Sequence, residues 1–394
     1  MSRTAASSPP GGQLGEQLDD KEITSDGEPS PPWWRDVVSV LPAWVAARVL
    51  VATGYVLATV ISNRLLTAHP EQLDNGLLAW DGTWYRDLAT SGYHGVPIEG
   101  VRFFPLYPLL GRLFAIPAAG HTGLALVVLG NALSLAALVL LRRLVLLEKA
   151  DHALADRAVW CLAVFPSAFV LVMAYSESLM LVAAIGAFIG LKLRRWWWVA
   201  ALGLVAALSR PLGVLIMVPV GVELLRTWRA AGGRDRIASV VALAAPAIGL
   251  VSYLAWVGHV FGNWHLPFTV QDDLRGHLEL PFDRIIEGFR QLAGSERFGD
   301  GLHLPFLLLL LVLLVITFRT WPARYGLFAA AILITAISAE NLNSVERYGM
   351  SAFPLVLALA VVMRPPQVER AALTLMGGSV VALSSMAWLG AYVP

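Results

Sequence analysis

The chain has 394 residues, of which 57% are hydrophobic and only 14% charged, with a formal charge of +1 and a mean hydropathy of +0.65. A soluble globule of this length has too little interior to hide so much apolar surface, whereas a bilayer accepts it. The near-neutral charge offers no concentrated basic face, so no nucleic-acid partner is expected, and the single cysteine, Cys161, excludes an intramolecular disulfide and a cysteine-built zinc site.

Residues 1–34 are rich in Ser, Pro, Gly and acids, among them Glu16, Asp19, Asp20, Glu22, Asp26 and Glu28. That composition predicts a disordered tail. It lacks the basic start and early apolar run of a secretory signal, so it is expected to stay uncleaved on the cytoplasmic side. Residues 35–394 form the membrane domain. Their apolar runs lack period-2 alternation, which argues against a transmembrane barrel and for helices that satisfy their own backbone. The runs at 37–62, 121–141, 158–174, 178–191, 197–209, 211–225, 237–258, 303–318, 325–339, 349–363 and 371–391 predict an all-α polytopic bundle of about 11 spans. The segment 104–119 is too interrupted by prolines for a span and is expected to lie along the outer surface. Cys161, inside an apolar run, reads as a packing residue. Arg48, in the middle of the first span, must face the bundle or snorkel.

Cations cluster at Arg142/Arg143/Lys149/Arg157, Lys192/Arg194/Arg195, Arg226/Arg229/Arg234/Arg236, Arg319/Arg324 and Arg364/Arg370. These groups fall on alternate connections, and the positive-inside rule assigns their side to the cytoplasm. The opposite face then carries two long loops, 63–120 and 259–302, together with short turns near Ser176, Arg210 and Asn341. Most acids outside the tail lie there, including Glu71, Asp74, Asp81, Asp87, Glu99, Asp272, Asp273, Glu279 and Asp283. Trp196 to Trp198 follow Arg194 and Arg195 and read as an interfacial belt. No Gly-rich phosphate loop or dinucleotide fingerprint is present, and the histidines have no metal-ligand spacing, so neither cofactor nor metal is expected. The eight histidines read as loop or interface residues.

The first outer loop holds Trp80-Asp81-Gly82-Thr83-Trp84-Tyr85-Arg86-Asp87-Leu88-Ala89-Thr90-Ser91-Gly92-Tyr93, followed by Arg102-Phe103-Phe104-Pro105-Leu106-Tyr107-Pro108. A carboxylate among aromatic rings suits a sugar, whose hydroxyls need acceptors and whose C–H faces stack on rings. The plainer reading is an aromatic interfacial belt with a solvated charged loop.

This pattern resembles the first loop of the PIG-V-like mannosyltransferases, and three later patches agree: Tyr175-Ser176-Glu177-Ser178, Arg195-Trp196-Trp197-Trp198 leading to Ser209-Arg210-Pro211, and Ser344-Val345-Glu346-Arg347-Tyr348. The resemblance spans roughly residues 37–360 and implies a GT-C-type membrane glycosyltransferase. It further implies inverting transfer of mannose from a polyprenyl-phosphate donor to an acceptor hydroxyl, with an acid of the first outer loop as base. The matching position is Asp81, a carboxylate able to take the proton of an attacking hydroxyl. The departing lipid phosphate needs a cation, for which Arg347, Arg210 and Arg102 are candidates because guanidinium binds phosphate oxygens in a two-pronged way. Trp80, Trp84 and Tyr85 would supply substrate contacts.

Several candidates carry a second reading. Arg210-Pro211 also fits a simple helix break, and Arg347 fits a structural pair with Glu346 or Glu340. Glu177 either binds an acceptor hydroxyl or caps the next helix. Asp87 reads as a solvated turn residue. Asp272-Asp273 resembles a metal pair, but a monophosphate donor needs no metal. Arginine-rich composition with lysine only at Lys21, Lys149 and Lys192 suggests a bacterial plasma-membrane protein. Its acceptor would then be a glycolipid or cell-envelope glycan, met on the extracytoplasmic face. A transporter or lipid flippase is the alternative class, though no half-to-half repeat with charges at the bilayer midplane is evident. A non-catalytic assembly partner would not need Asp81.

Overall fold

The computed structural model describes residues 33–65, 68–275, 286, 288–291, 299–338 and 342–394. Residues 1–32 of the tail expected at 1–34, and Glu279, Asp283, Glu340 and Asn341, lie outside the described residues, and Trp33 and Trp34 belong instead to the first helix. The described residues are helical, joined by short 3₁₀ turns and loops, with no strand among them. In chain order the helices are α1 (Trp33–Leu65), α2 (Glu71–Asp74), α3 (Asp81–Ser91), α4 (Leu106–Ala115), α5 (Thr122–Lys149), α6 (His152–Ala163), α7 (Glu177–Lys192) and α8 (Trp196–Ser209). There follow α9 (Met217–Thr227), α10 (Gly233–Phe261), α11 (Leu266–Arg275), α12 (Leu304–Thr320), α13 (Ala323–Ile337), α14 (Val345–Ser351), α15 (Phe353–Val362) and α16 (Pro366–Trp388). Helices α1, α5, α10 and α16 are long and apolar enough to cross a membrane, while α8, α12 and α13 are shorter apolar helices. The chain is an all-α polytopic membrane protein.

Close helix contacts are made where small residues permit them. A Cβ on Gly203 of α8 would meet Pro246 of α10 at 2.8 Å, and one on Gly249 would meet Ala207 at 3.1 Å. The two backbones can approach only because those side chains are absent.

Two expected spans are broken. The run 158–174 is helical only to Ala163. Pro166 disfavours helix in the residue before it, and the following stretch is irregular apart from a 3₁₀ turn at Ala168–Leu171. This stretch is fully buried, so its backbone must find partners inside the protein. Arg48 Nη2 donates to Leu171 O (3.3 Å), Asn131 Nδ2 to Val172 O (2.8 Å), and Ala174 N to Leu77 O (3.0 Å). Arg48 therefore faces the bundle, with Nε 3.0 Å from Asn131 Oδ1 and its guanidinium over the Trp44 ring. The run 349–363 is likewise split, because α14 and α15 meet at 85° around Ala352, just ahead of Pro354. The run 211–225 begins as a 3₁₀ turn, Pro211–Ile216, before α9. Cys161 is buried, its sulfur 3.2 Å from that of Met363. The tryptophan belt is uneven: Trp197 and Trp198 are exposed, but Trp196 is buried.

The cationic groups meet at one end of the bundle. Asp36 of α1 accepts from Arg142 (2.7 Å) and Arg143 (2.8 Å) of α5. Glu148 of α5 binds Lys192 of α7 (2.9 Å) and Arg324 of α13, and Arg324 also reaches Glu223 of α9 (2.8 Å). At the other end of α5, Thr122 meets Thr90 of α3 (2.7 Å). At 1.5 Å per residue, the 28 residues of α5 separate these two ends by about 40 Å. Helix α4 lies at the second end, burying Tyr107, Pro108, Gly111 and Ala115 and leaving Leu109, Leu113 and Phe114 exposed.

Candidate functional site

Asp81 is the first residue of α3, where the helix N-terminus favours a carboxylate. The residue before it is held in an unusual conformation: Trp80 has φ +58°, costly for a side-chain-bearing residue. The cost is offset by fixed partners. Trp80 N donates to Gln72 Oε1 (2.8 Å), and its indole N–H donates to Ala387 O of α16 (2.9 Å). Trp388 anchors the same loop through Gly76 O (2.8 Å). Trp80 thus sets the direction in which Asp81 leaves the turn.

Three other elements converge on Asp81. Arg347, on the short helix α14, donates from Nη1 to Asp81 Oδ2 at 2.7 Å, and its Nε lies 3.4 Å from Glu177 Oε1. Glu177 opens α7 and is fully buried; it binds Arg210 at the end of α8. Proline at 211 pushes the residue before it out of the helical region, and Arg210 is extended (φ −157°, ψ 151°). Arg210-Pro211 is both a helix break and the device that turns this guanidinium toward Glu177. Arg102 ends the 3₁₀ turn Ile98–Arg102, its guanidinium over the ring of Phe103 and 5.7 Å from that of Trp84. That turn is fastened from α10, where the Tyr253 hydroxyl donates to Val101 O (2.6 Å).

These groups line a cleft of about 500 Å³ together with Tyr85, Phe103, Phe104, Tyr348, His265 and Asp272. Burial alone would raise the Asp81 carboxyl, but Arg347, Arg102 and Arg210 outweigh it and hold the group below its ordinary value. Tyr85, whose hydroxyl is 2.7 Å from Ser176 Oγ, is pushed up by burial and stays neutral.

Of the residues singled out in the sequence, Asp81, Tyr85, Arg102, Arg210 and Arg347 line this one cleft. Glu177 stands behind them as the counter-ion of two arginines. Trp80 is not among the lining residues, nor is Trp84, which stacks on Phe103 at 5.7 Å behind the wall. Glu346 is not the partner of Arg347. It is buried and bonded to His303 Nδ1 (2.9 Å) and the Tyr392 hydroxyl (3.0 Å). Asp87 pairs with Arg86 on the surface. Sequence reading missed the α11 wall, with His265 just before it and Gln271 upon it. Its signal was a short amphipathic run in a polar loop. It also missed His303, which a general loop assignment for histidines concealed. No cluster of three or more metal-ligating side chains occurs among the described residues.

No protein-family profile matches the chain, and no curated protein does. Among solved structures it is similar to the oligosaccharyltransferase of Archaeoglobus fulgidus. The form tethered to an acceptor peptide and the form with an inhibitory peptide and a dolichol-phosphate each give 14% identity and a TM-score of 0.42. The apo form gives 13% and 0.43. Each match covers 87% of this chain and 56% of the archaeal one, so the chain spans little over half that enzyme's length.

Proposed function

We propose that the protein is an inverting membrane mannosyltransferase that moves a mannosyl residue from a polyprenyl-phosphate donor to a hydroxyl of a glycolipid or cell-envelope glycan. The reading places it in the bacterial plasma membrane with the cleft on the extracytoplasmic side. The observation that carries it is the Asp81 carboxylate paired with Arg347 in a cleft that Arg210 and Arg102 also line. The choice of mannose and of a polyprenyl carrier rests on the resemblance of four sequence patches to PIG-V-like enzymes.

In this reading the lipid phosphate enters on the arginine side, where two-pronged guanidinium contacts suit it. Its charge competes with Asp81 for Arg347, so the carboxyl is weakly basic in the empty cleft and regains basicity once donor is bound. The acceptor oxygen attacks the anomeric carbon as the bond from that carbon to the phosphate oxygen breaks. Asp81 takes the acceptor proton, and the phosphate leaves with the bonding pair, neutralised by the arginines. The exposed apolar face of α4 beside the cleft supports a place for the polyprenyl chain.

The test is transfer from radiolabelled polyprenyl-phosphate-mannose into membrane glycolipid or glycan, wild type against Asp81→Asn at matched expression. Loss of incorporation in a folded variant is expected. Full activity in the variant would remove Asp81 from the chemistry, and no transfer by wild type would sink the donor assignment.

A further inference from the structure

The cleft has a second wall, of different chemistry from the arginine wall. Helix α11 packs Leu266 against Phe104, Tyr253 and Val257, and it buries Val270 one turn later. That fixes the helix in rotation. Pro267, Phe268, Gln271 and Asp272 then fall on the neighbouring face and line the cleft. They form two i, i+4 pairs, Pro267 with Gln271 and Phe268 with Asp272. Pro267 is buried beside Gln271, whereas Phe268 is exposed and sets an apolar plate beside Asp272; both Gln271 and Asp272 can accept hydrogen bonds. No described residue forms a hydrogen bond or ion pair with the Gln271 or Asp272 side chain. The acids of the arginine wall, by contrast, are engaged. A phosphate would be repelled by Asp272, whereas a neutral polyol would find acceptors for its hydroxyls and flat surfaces for its C–H faces.

We infer that α11 is a sugar-binding wall, reading hydroxyls with Gln271 and Asp272 and stacking a pyranose on Phe268. The inference rests on the glycosyl-transfer reading for its place in the reaction, but the wall can be tested without turnover. The sugar it holds belongs either to the acceptor or to the donor's glycosyl group, which present the same chemistry. Helix α11 lines the same cleft as Asp81, so a sugar held there shares a cavity with the group proposed to deprotonate the acceptor.

Cys161 is fully buried, so an Asp273→Cys variant of the full chain in lipid nanodiscs presents one accessible thiol beside the wall. Maleimide labelling is followed with methyl α-mannoside, methyl α-glucoside and methyl α-galactoside, each alone and with sugar-free polyprenyl phosphate, and separately with polyprenyl-phosphate-mannose. Saturable protection by at least one hexoside or by the intact donor is expected. Adding Gln271→Ala or Asp272→Ala should raise the half-protecting concentration roughly tenfold, the loss of about one hydrogen bond. Saturation-transfer NMR of the same hexosides on the chain with Asp273 intact serves as a second readout. Protection that persists with polyprenyl phosphate present assigns the wall to the acceptor. Protection seen only with intact polyprenyl-phosphate-mannose assigns it to the donor's sugar. If no hexoside or donor protects and no saturation transfer appears, or if binding is unchanged in the alanine variants, the wall does not bind sugar. Hexoside protection in a protein that transfers nothing would keep the wall and sink the transfer reading instead.

Discussion

Each end of the bundle carries a tight cluster of opposite charges. At the cationic end Arg324, Lys192 and Arg226 surround Glu148 and Glu223, and at the opposite end Arg347, Arg210 and Arg102 surround Asp81 and Glu177. Each gathers several cations around two acids. They differ in how those cations are solvated. At the cationic end two of them are in contact with water, Lys192 being 36% exposed and Arg226 62%. At the cleft Arg347 is 5% exposed and Arg210 12%. A cation in water is screened and carries little free energy. A desolvated one keeps its field, and here it lines a cavity that a ligand can enter. Charge inventory alone therefore does not distinguish a structural clamp from a binding site; solvation and an adjacent cavity do.

The largest separation of the two ends should come from Asp81→Asn. Loss of a positioned base costs about 10²- to 10⁴-fold in rate, while the fold should survive because the side chain is partly exposed and the amide is isosteric. Transfer assays together with thermal-unfolding curves on the same preparation check both halves. Equal loss of rate and of folded protein would erase the contrast.

Next in size is Arg324→Met. Removing the buried Arg324 leaves Glu148 to Lys192 and Glu223 to Arg226, both more exposed partners, at a cost of up to about 3–5 kcal/mol. The folded fraction in detergent should fall sharply, yet the rate per folded molecule should match wild type. A selective loss of rate would mean that the cationic end communicates with the cleft.

Hydropathy located the long helices well, because α1, α5, α10 and α16 are continuous apolar stretches. It failed at 164–176 and at Ala352, where the chain is equally apolar but turns inside the protein. Apolarity reports burial and not helicity, and Pro166 and Pro354 were the local cues. In the cleft, residue types were legible but pairings were not. Arg347 and Asp81 are 266 positions apart, and nothing local indicates that Arg347 turns to Asp81 while its neighbour Glu346 turns to His303. The α11 wall was hidden for another reason: its ten residues are too short and polar to register as a span, and a helix only becomes a wall when Leu266 and Val270 have something to pack on.

A pH series sharpens the comparison further. The Asp81 carboxyl is held below its unfolded value, so the Arg347 contact contributes its full stability above the ordinary carboxylate range, about 4. That contribution is lost as pH falls through the depressed value. The stability difference between wild type and Asp81→Asn, read by thermal unfolding, should be constant from neutral pH down to that range and should shrink only below it. A difference that already declines between pH 7 and 5 would mean that the arginines do not hold Asp81 ionised.

The smallest expected effect concerns Trp84, which touches the site only through other groups. Its ring is stacked on Phe103 and lies 5.7 Å from the Arg102 guanidinium. It therefore restrains the Arg102 guanidinium without lining the cleft itself. Trp84→Leu keeps apolar bulk but removes the ring face, a loss of about 0.5–1 kcal/mol or two- to fivefold. If Arg102 holds the donor phosphate alike in ground and transition states, as the proposed function has it, the change should appear in the KM for polyprenyl-phosphate-mannose, with kcat unmoved. No variant at the cationic end should yield that signature, since Trp321 there lies over Lys149, whose ammonium is already committed to Thr320 O at 2.8 Å. A fall in kcat with KM unchanged would instead place Trp84 in contact with the reacting groups and move the cleft wall inward by one layer.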